Sequence, residues 1–249
     1  MAKLSVMIIT KNEEDNIRDC LESVKWADEI VILDSFSHDR TVEIAKEYTD
    51  KIFQKKWIGY GGQKNLALEK ATGEWVLNID ADERVTKELA REIREAIQKK
   101  QYDGYYISNK AYFLGKWMRR SGWYPDYHLR LFKKERGRFN ERMVHEAVQV
   151  EGKKDYLKGS IEHFTAKSIG EYLRRLDKYA KLTIEEKEGR AGWHQIFFHP
   201  PFTFFKMYII KKGFLDGIHG LILALCHSYY TFNKYARLWE KQLTINNEH

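Results

Sequence analysis

The chain of 249 residues carries 43 Lys and Arg against 36 Asp and Glu, a formal net charge of +7, with 43% hydrophobic and 14% aromatic residues but only 3 Pro and 16 Gly. That length and composition imply one or two domains with a sizeable core, and exclude a disordered, collagen-like or low-complexity chain. The positive balance favours anionic partners, while two cysteines, Cys20 and Cys226, are too few for a disulfide framework or a thiolate metal site, so a reducing compartment is the default.

The N-terminal apolar stretch ends at Lys11, too short for a signal-peptide core, and reads as a buried strand over residues 6–9. A helix follows over 13–24, with Ile17, Cys20, Leu21 and Val24 at helical spacing. Next come a strand at 30–33, a helix over 40–48 with Asp39 as its N-cap, a strand at 51–53, a helix over 63–70 and a strand at 75–79. Near-continuous apolar strands separated by helices predict a parallel sheet covered on both faces, an α/β nucleotide-binding type of half.

After a polar helix at 86–99, short aromatic strands are expected at 104–108, 111–113, 127–133, 147–150 and 160–164, as hairpins continuing the same sheet. From Ser168 the pattern turns helical, and Phe214, Ile218, Leu221, Ile222, Leu225, Tyr229 and Phe232 fall on one stripe. The expected division is one α/β domain over 1–166, with a nucleotide-binding half to about 100 and a second half from 101, then a helical extension over 167–249. No run approaches the roughly 18 apolar residues of a spanning helix, which predicts a cytoplasmic chain.

In an open parallel sheet, ligands bind beyond the carboxyl ends of the strands. Thr10, Asn12 and Glu13 follow the first strand; Asp34, Ser35, Ser37 and Asp39 follow the second; Asp80 and Asp82 flank Ala81 after the fourth. Two carboxylates at a strand end suit a hard divalent cation, Mg²⁺ or Mn²⁺, shared with a diphosphate. The competing reading of Asp-Ala-Asp-Glu is a cap for the helix at 86, and Asp34 in Asp-Ser-x-Ser-x-Asp could cap a turn; position favours a base-recognising carboxylate.

This ordered set resembles the family 2 glycosyltransferases of the GT-A fold: Ile9-Thr10-Lys11-Asn12-Glu13-Glu14, Cys20-Leu21-x-Ser23-Val24, Asp34-Ser35-Phe36-Ser37-His38-Asp39-x-Thr41, Gly62-Gln63-Lys64-Asn65, Gly73-Glu74-Trp75 and Asp80-Ala81-Asp82. Arg130-Leu131-Phe132, Val144-His145-Glu146, Ile161-Glu162-His163 and Gly213-Phe214-Leu215-Asp216-Gly217 are similar to the subgroup containing lipopolysaccharide core β-1,4-glucosyltransferases, which extends the likeness over nearly the whole chain.

The resemblance implies an inverting, metal-dependent hexosyltransferase with a Rossmann-like mixed sheet. Such an enzyme would move a hexose, glucose in the first instance, from a UDP-sugar to a hydroxyl of a phosphorylated lipid-linked saccharide such as lipopolysaccharide inner core, the alternative acceptors being another envelope glycan or a polyprenyl phosphate. Asp34 would bind uracil, the backbone around Thr10 the nucleoside, with Asn12 and Glu13 beside it. Lys64 would face base or diphosphate, Asp80 ribose or metal. Asp82 would be the direct metal ligand, and His163, otherwise a strand residue, would complete the metal site. Inversion needs a carboxylate base for the acceptor hydroxyl. Glu146 is the first candidate, at a position where the family has aspartate, against a solvated hairpin residue paired with Arg142; Asp126 is the second.

Gly122, Trp123 and Tyr124 suggest an acceptor loop stacking on sugar, or core aromatic packing. The basic stretch around them, from Lys116 through Arg119, Arg120, Arg130, Lys133, Lys134, Arg136 and Arg138 to Arg142, suits a phosphorylated acceptor. Between Trp193 and Tyr235, twelve aromatic residues are interspersed with Lys206, Lys211, Lys212 and Lys234. Such a segment either lies peripherally on the inner face of an anionic membrane or packs on the core or a second copy. Two other classes fit less well. Sugar-phosphate nucleotidyl transfer wants a Gly-rich loop, and residues 8–16 hold no Gly; nucleic-acid binding does not explain carboxylates at three strand ends.

Overall fold

The computed structural model describes residues 2–99, 101–140, 147–186 and 191–247. In chain order the elements are β1 (Leu4–Thr10), α1 (Glu14–Val24), β2 (Glu29–Asp34), α2 (Thr41–Ala45), β3 (Ile52–Gln54), α3 (Tyr60–Lys70), β4 (Trp75–Asp80), β5 (Glu83–Val85) and α4 (Lys87–Lys99). These are followed by β6 (Gly104–Phe113), β7 (Lys116–Trp117), β8 (Asp126–Lys133), β9 (Gly137–Phe139), β10 (Val148–Val150), β11 (Lys154–Ala166), α5 (Ile169–Glu186), α6 (Trp193–Phe205) and α7 (Ile218–Asn247).

The chain divides into two units, Met1–Asn109 with Asp126–His163, and Lys110–Pro125 with Phe164–His249. The sequence-based boundary at 166 differs from this in two respects: residues 110–125 group with the C-terminal helices, although no change of composition marks them, and the second unit resumes at Phe164.

In the first unit the strand order is β3-β2-β1-β4-β8-β6-β11-β5. The first four run parallel, and β8 is antiparallel to β4 and β6. Every residue of β1 and β2 is buried, the signature of strands covered on both faces. Alternation along each strand then builds two cores. Leu4, Val6, Ile8, Ile32, Leu77 and Ile79 meet Ile17, Leu21 and Val24 of α1 and Leu89, Ile93 and Ile97 of α4. On the other face Met7, Ile9, Val31, Leu33 and Val76 meet Ala67 and Leu68 of α3, with Phe132 and Phe139. At Gly73 a Cβ would stand 2.7 Å from the Ser5 backbone nitrogen, so only glycine lets β4 begin this close to β1.

Several short elements differ from expectation. The helix expected over 40–48 is regular only at Thr41–Ala45, then unwinds through turn bonds from the N–H of Glu47 to Ile44 and of Tyr48 to Ala45. Asp39 accepts the Thr41 N–H at 3.0 Å, capping from one residue further out. The strands at 104–108 and 111–113 are one continuous β6, because Asn109 and Lys110 simply continue the pleat. β5, β7 and β9, two or three residues each, went undetected, since so short a run shows no period.

The second unit buries Phe113, Met118, Ala166, Tyr172, Leu176, Met207, Leu223, Ala224 and Cys226. Trp123 stacks edge-on against Phe113 and Tyr172 there, so it is a packing residue of this unit; Tyr124 packs on Trp117. Helix α6 carries Pro200 and Pro201 internally and runs on through a π-helical turn, Lys206–Ile210, and a 3₁₀ turn, Gly213–Asp216. Along α7 the buried apolar side chains are Leu223, Ala224, Cys226 and Leu238, whereas Ile218, Leu225, Tyr229 and Phe232 of the expected stripe stand exposed. Among the described residues no helix is long and apolar enough to cross a membrane.

Candidate active site

The parallel register brings the expected strand ends level: Thr10 lies opposite Asp34, Asp34 opposite Gln54, and Ile9 opposite Asp80. Connections from β1 run to β2 on one side while β4 lies on the other, the topological switch point at which open α/β sheets bind ligands.

Asp34 is fully buried. It accepts the Ser37 N–H at 2.9 Å, the Ser37 hydroxyl, and Gln54 Nε2 at 3.1 Å. The Asp-Ser-x-Ser spacing therefore builds a turn that fixes the carboxylate, and capping and ligand recognition are compatible roles for it. Asn12, at φ 55°, donates its N–H to Ser37 Oγ at 2.8 Å and accepts the His38 N–H at 2.9 Å. Glu13 donates its N–H to Thr41 Oγ1 at 2.7 Å and accepts from Asn16 Nδ2 at 2.8 Å, opening α1. Both residues hold loops at the strand ends. Thr10 Oγ1 is buried with no hydrogen-bond partner.

The Asp80 carboxylate, half-buried, lies 3.2 Å from Lys64 Nζ and 3.4 Å from Arg130 Nη1. Burial opposes its ionisation, but Lys64, Arg130 and His163 outweigh it and hold the carboxyl well below the usual range. Arg130 also reaches Glu83 Oε1 at 2.6 Å, and Glu83 Oε2 accepts the Asp80 N–H at 2.8 Å. Burial pushes the pKa of Glu83 upward. Glu83 and the bridging Arg130 join this cluster although sequence reasoning gave neither a place in it: Glu83 falls in a capping motif, and Arg130 in a basic run read as an acceptor surface. Other members of that run also have internal partners, Lys133 on Asp103 at 2.9 Å and Lys116 on the Asp216 carbonyl at 2.7 Å.

Asp82 Oδ2 and His163 Nε2 face each other at 3.2 Å, although 81 residues separate them. Antiparallel pairing of β5 with β11 puts His163 opposite Glu83 and so beside Asp82. Burial disfavours the imidazolium, but the hydrogen-bonded Asp82 carboxylate, with Glu83 and Asp80 behind it, pushes the His163 pKa up to about 9. One carboxylate oxygen and one imidazole nitrogen form a donor set that suits Mn²⁺ or Mg²⁺. Among the described residues no group of three or more His, Cys, Asp or Glu side chains is arranged to hold a metal ion. Asp80, engaged by Lys64 and Arg130, stands beside that pair.

Asp126 opens β8 and sits 2.8 Å from His128 Nε2. That hydrogen bond lowers its pKa, with further help from the charges of Arg130 and His163, so it is a half-exposed carboxylate held ionised near the cluster. Glu146 lies outside the described residues.

The chain matches the family model described as Glycosyl transferase family 2 over residues 5–149. It is 30% identical over 249 residues to the lipopolysaccharide core biosynthesis glycosyltransferase LpsC of Rhizobium meliloti (strain 1021), covering 96% of this chain and 92% of that one. In three dimensions it is similar to the mannosyltransferase PcManGT from Pyrobaculum calidifontis in complex with GDP-Man and Mn²⁺, with a TM-score of 0.53, 16% identity, and coverage of 99% and 80%. It is also similar to S. aureus TarS 1-349 in complex with UDP-GlcNAc, with a TM-score of 0.50, 17% identity, and coverage of 97% and 92%. At such identities these two likenesses establish the fold alone. Sequence match, full-length relative and fold agree: the chain belongs to glycosyl transferase family 2 and adopts the GT-A fold.

Proposed function

We propose that this glycosyltransferase moves a hexose, glucose in the first instance, from a UDP-sugar to a hydroxyl of a phosphorylated, lipid-linked saccharide of the lipopolysaccharide core type, with inversion. The observation that carries the reading is the level row of Thr10, Asp34 and Asp80 with the Asp82–His163 pair at its end. The fixed Asp34 carboxylate accepts from a uracil N–H, and the unpartnered Thr10 hydroxyl is the polar atom a nucleoside would satisfy.

Asp82 and His163 would hold a divalent cation, whose positive charge would stabilise a departing diphosphate. Lys64 and Arg130 add two buried cations beside it and hold Asp80 ionised towards the ribose. The acceptor hydroxyl loses its proton to Glu146 or, failing that, to Asp126. The named role of LpsC supports a core-saccharide acceptor, and TarS with UDP-GlcNAc supports a uridine donor. The exposed aromatic and basic face of the second unit supports peripheral attachment to the inner face of an anionic membrane, where a lipid-linked acceptor is met.

Calorimetry with UDP, UDP-glucose and GDP-mannose, each with Mn²⁺ or a chelator, tests the reading. Uridine-selective binding is expected, with the Mn²⁺-dependent part of the affinity falling at least tenfold, roughly 1.4 kcal/mol, in Asp82→Asn. Equal binding by the variant removes Asp82 from the metal role; no nucleotide binding at all removes the donor assignment.

A further inference from the structure

The helices of the second unit frame two adjoining hollows. Along α6 and α7 runs an open groove of about 740 Å³, lined by large apolar side chains including Trp193, Phe197, Leu225, Tyr229, Phe232 and Trp239. That volume is in the range of small-molecule sites, about 300–1,000 Å³. The exposure is unusual: Trp193 is 72% and Phe197 67% accessible. A second hollow of about 490 Å³ is bordered by Arg174, Asp177, Lys178 and Lys181. Tyr229 lines both.

Asp177 does not neutralise the second hollow. Its Oδ1 accepts from Asn233 at 2.9 Å and Arg237 at 2.6 Å, and Lys181 stands 3.2 Å from its Oδ2. Arg237 and Lys181 thus already compensate that one carboxylate, and Arg174 and Lys178 add to a cationic excess. Among the described residues neither of these two has a carboxylate within ion-pair distance.

An apolar trough that meets a cationic hollow at one amphipathic side chain matches an anionic amphiphile. Hydrocarbon leaves water against the aromatic walls, and phosphate oxygens take charge-assisted hydrogen bonds from guanidinium and ammonium groups. Tyr229, which borders both, carries an apolar ring and a polar hydroxyl on one side chain. We propose that these hollows together seat a single anionic phospholipid of the bilayer, its chain along the α6–α7 groove and its phosphate at Arg174, Lys178 and Lys181. The proposal deepens the membrane attachment described above and rests on it.

The test uses the full chain titrated with short-chain phosphatidylglycerol below its micelle concentration, with phosphatidylcholine of the same chains, and with inorganic phosphate. Brominated chains report contact by quenching tryptophan. Expected are at least tenfold tighter binding of phosphatidylglycerol than of phosphatidylcholine, no response to phosphate, and loss of quenching in Trp193→Phe/Trp239→Phe. Arg174→Glu/Lys178→Glu should weaken binding at least tenfold. Leu225→Trp, which fills the groove, should abolish it while UDP binding and helical circular dichroism stay unchanged.

Equal binding of the two lipids, equally tight binding of phosphate, or undiminished quenching in Leu225→Trp overturns the proposal. So does a dimer, seen by sedimentation and dissociated by Leu225→Trp, in a chain that takes up no lipid. Flotation with anionic vesicles keeps the two levels apart. If the chain floats but binds no short-chain lipid, the seat alone is lost; if it floats with no vesicle, membrane attachment is lost as well.

Discussion

Glu83 follows Asp82 in the chain and pairs opposite His163, and its side chain orders the residues around them. Fully buried, it fixes the Asp80 backbone through one oxygen and Arg130 through the other. Replacing it by Gln keeps an acceptor for the Asp80 N–H but removes the carboxylate charge that faces Arg130 at 2.6 Å. We expect Glu83→Gln to cost about 3 kcal/mol by urea unfolding, the low end for unpairing a buried charge. Adding Arg130→Met should recover part of that loss; a double variant no more stable than the single one would show that the pair is not the source. Asp34, Asp80 and Asp82 were legible because a strand end is visible as the last residue of an apolar run. His163 was legible only through family likeness, since its neighbour Asp82 depends on a strand pairing that no local pattern encodes. Glu83 and Arg130 were not legible, because nothing local distinguishes a buried charge from a solvated one.

At the scale of elements, β1, β2 and β4 could be read directly, since burial on both faces leaves an unbroken apolar run. Helix α7 shows the limit of the same logic. Its period reveals an apolar stripe but not whether anything covers it, and within the span of that stripe the covered apolar positions prove to be Leu223, Ala224 and Cys226. Next to them His227, whose Nε2 lies 2.8 Å from the Tyr172 hydroxyl, has its pKa lowered by burial to about 4. Below about pH 6.5 the unfolded chain binds a proton that the folded one refuses, so acid destabilises this unit progressively between pH 6.5 and 4. The loss amounts to up to about 3 kcal/mol and is complete near pH 4. Thermal unfolding followed across that range should show the slope in the natural chain and a shallower one in His227→Gln; identical slopes would place the sensitivity elsewhere.

For the whole molecule, the division into units decides what can be removed. A chain ending at residue 166 looks complete by the sequence-based boundary, yet it retains Phe113 and Met118 without Tyr172, Leu176, Met207 and Leu223, their partners within the second unit. We expect such a truncation to bind hydrophobic dyes and to aggregate, whereas a well-behaved, dye-silent product in gel filtration would show that residues 110–125 pack adequately alone.

The same discontinuity sets a delay during synthesis. At about 5–20 residues per second, Met118 leaves the ribosome on the order of 5–20 s before Leu223, the residue it packs beside. During that interval the remaining strands of the first unit, β8 to β11, are made, while an aromatic loop between β6 and β8 waits for helices not yet translated. Nascent chains of this protein therefore have a scheduled window of exposure in which a holdase has its client, and codons that slow translation between α5 and α7 would lengthen it.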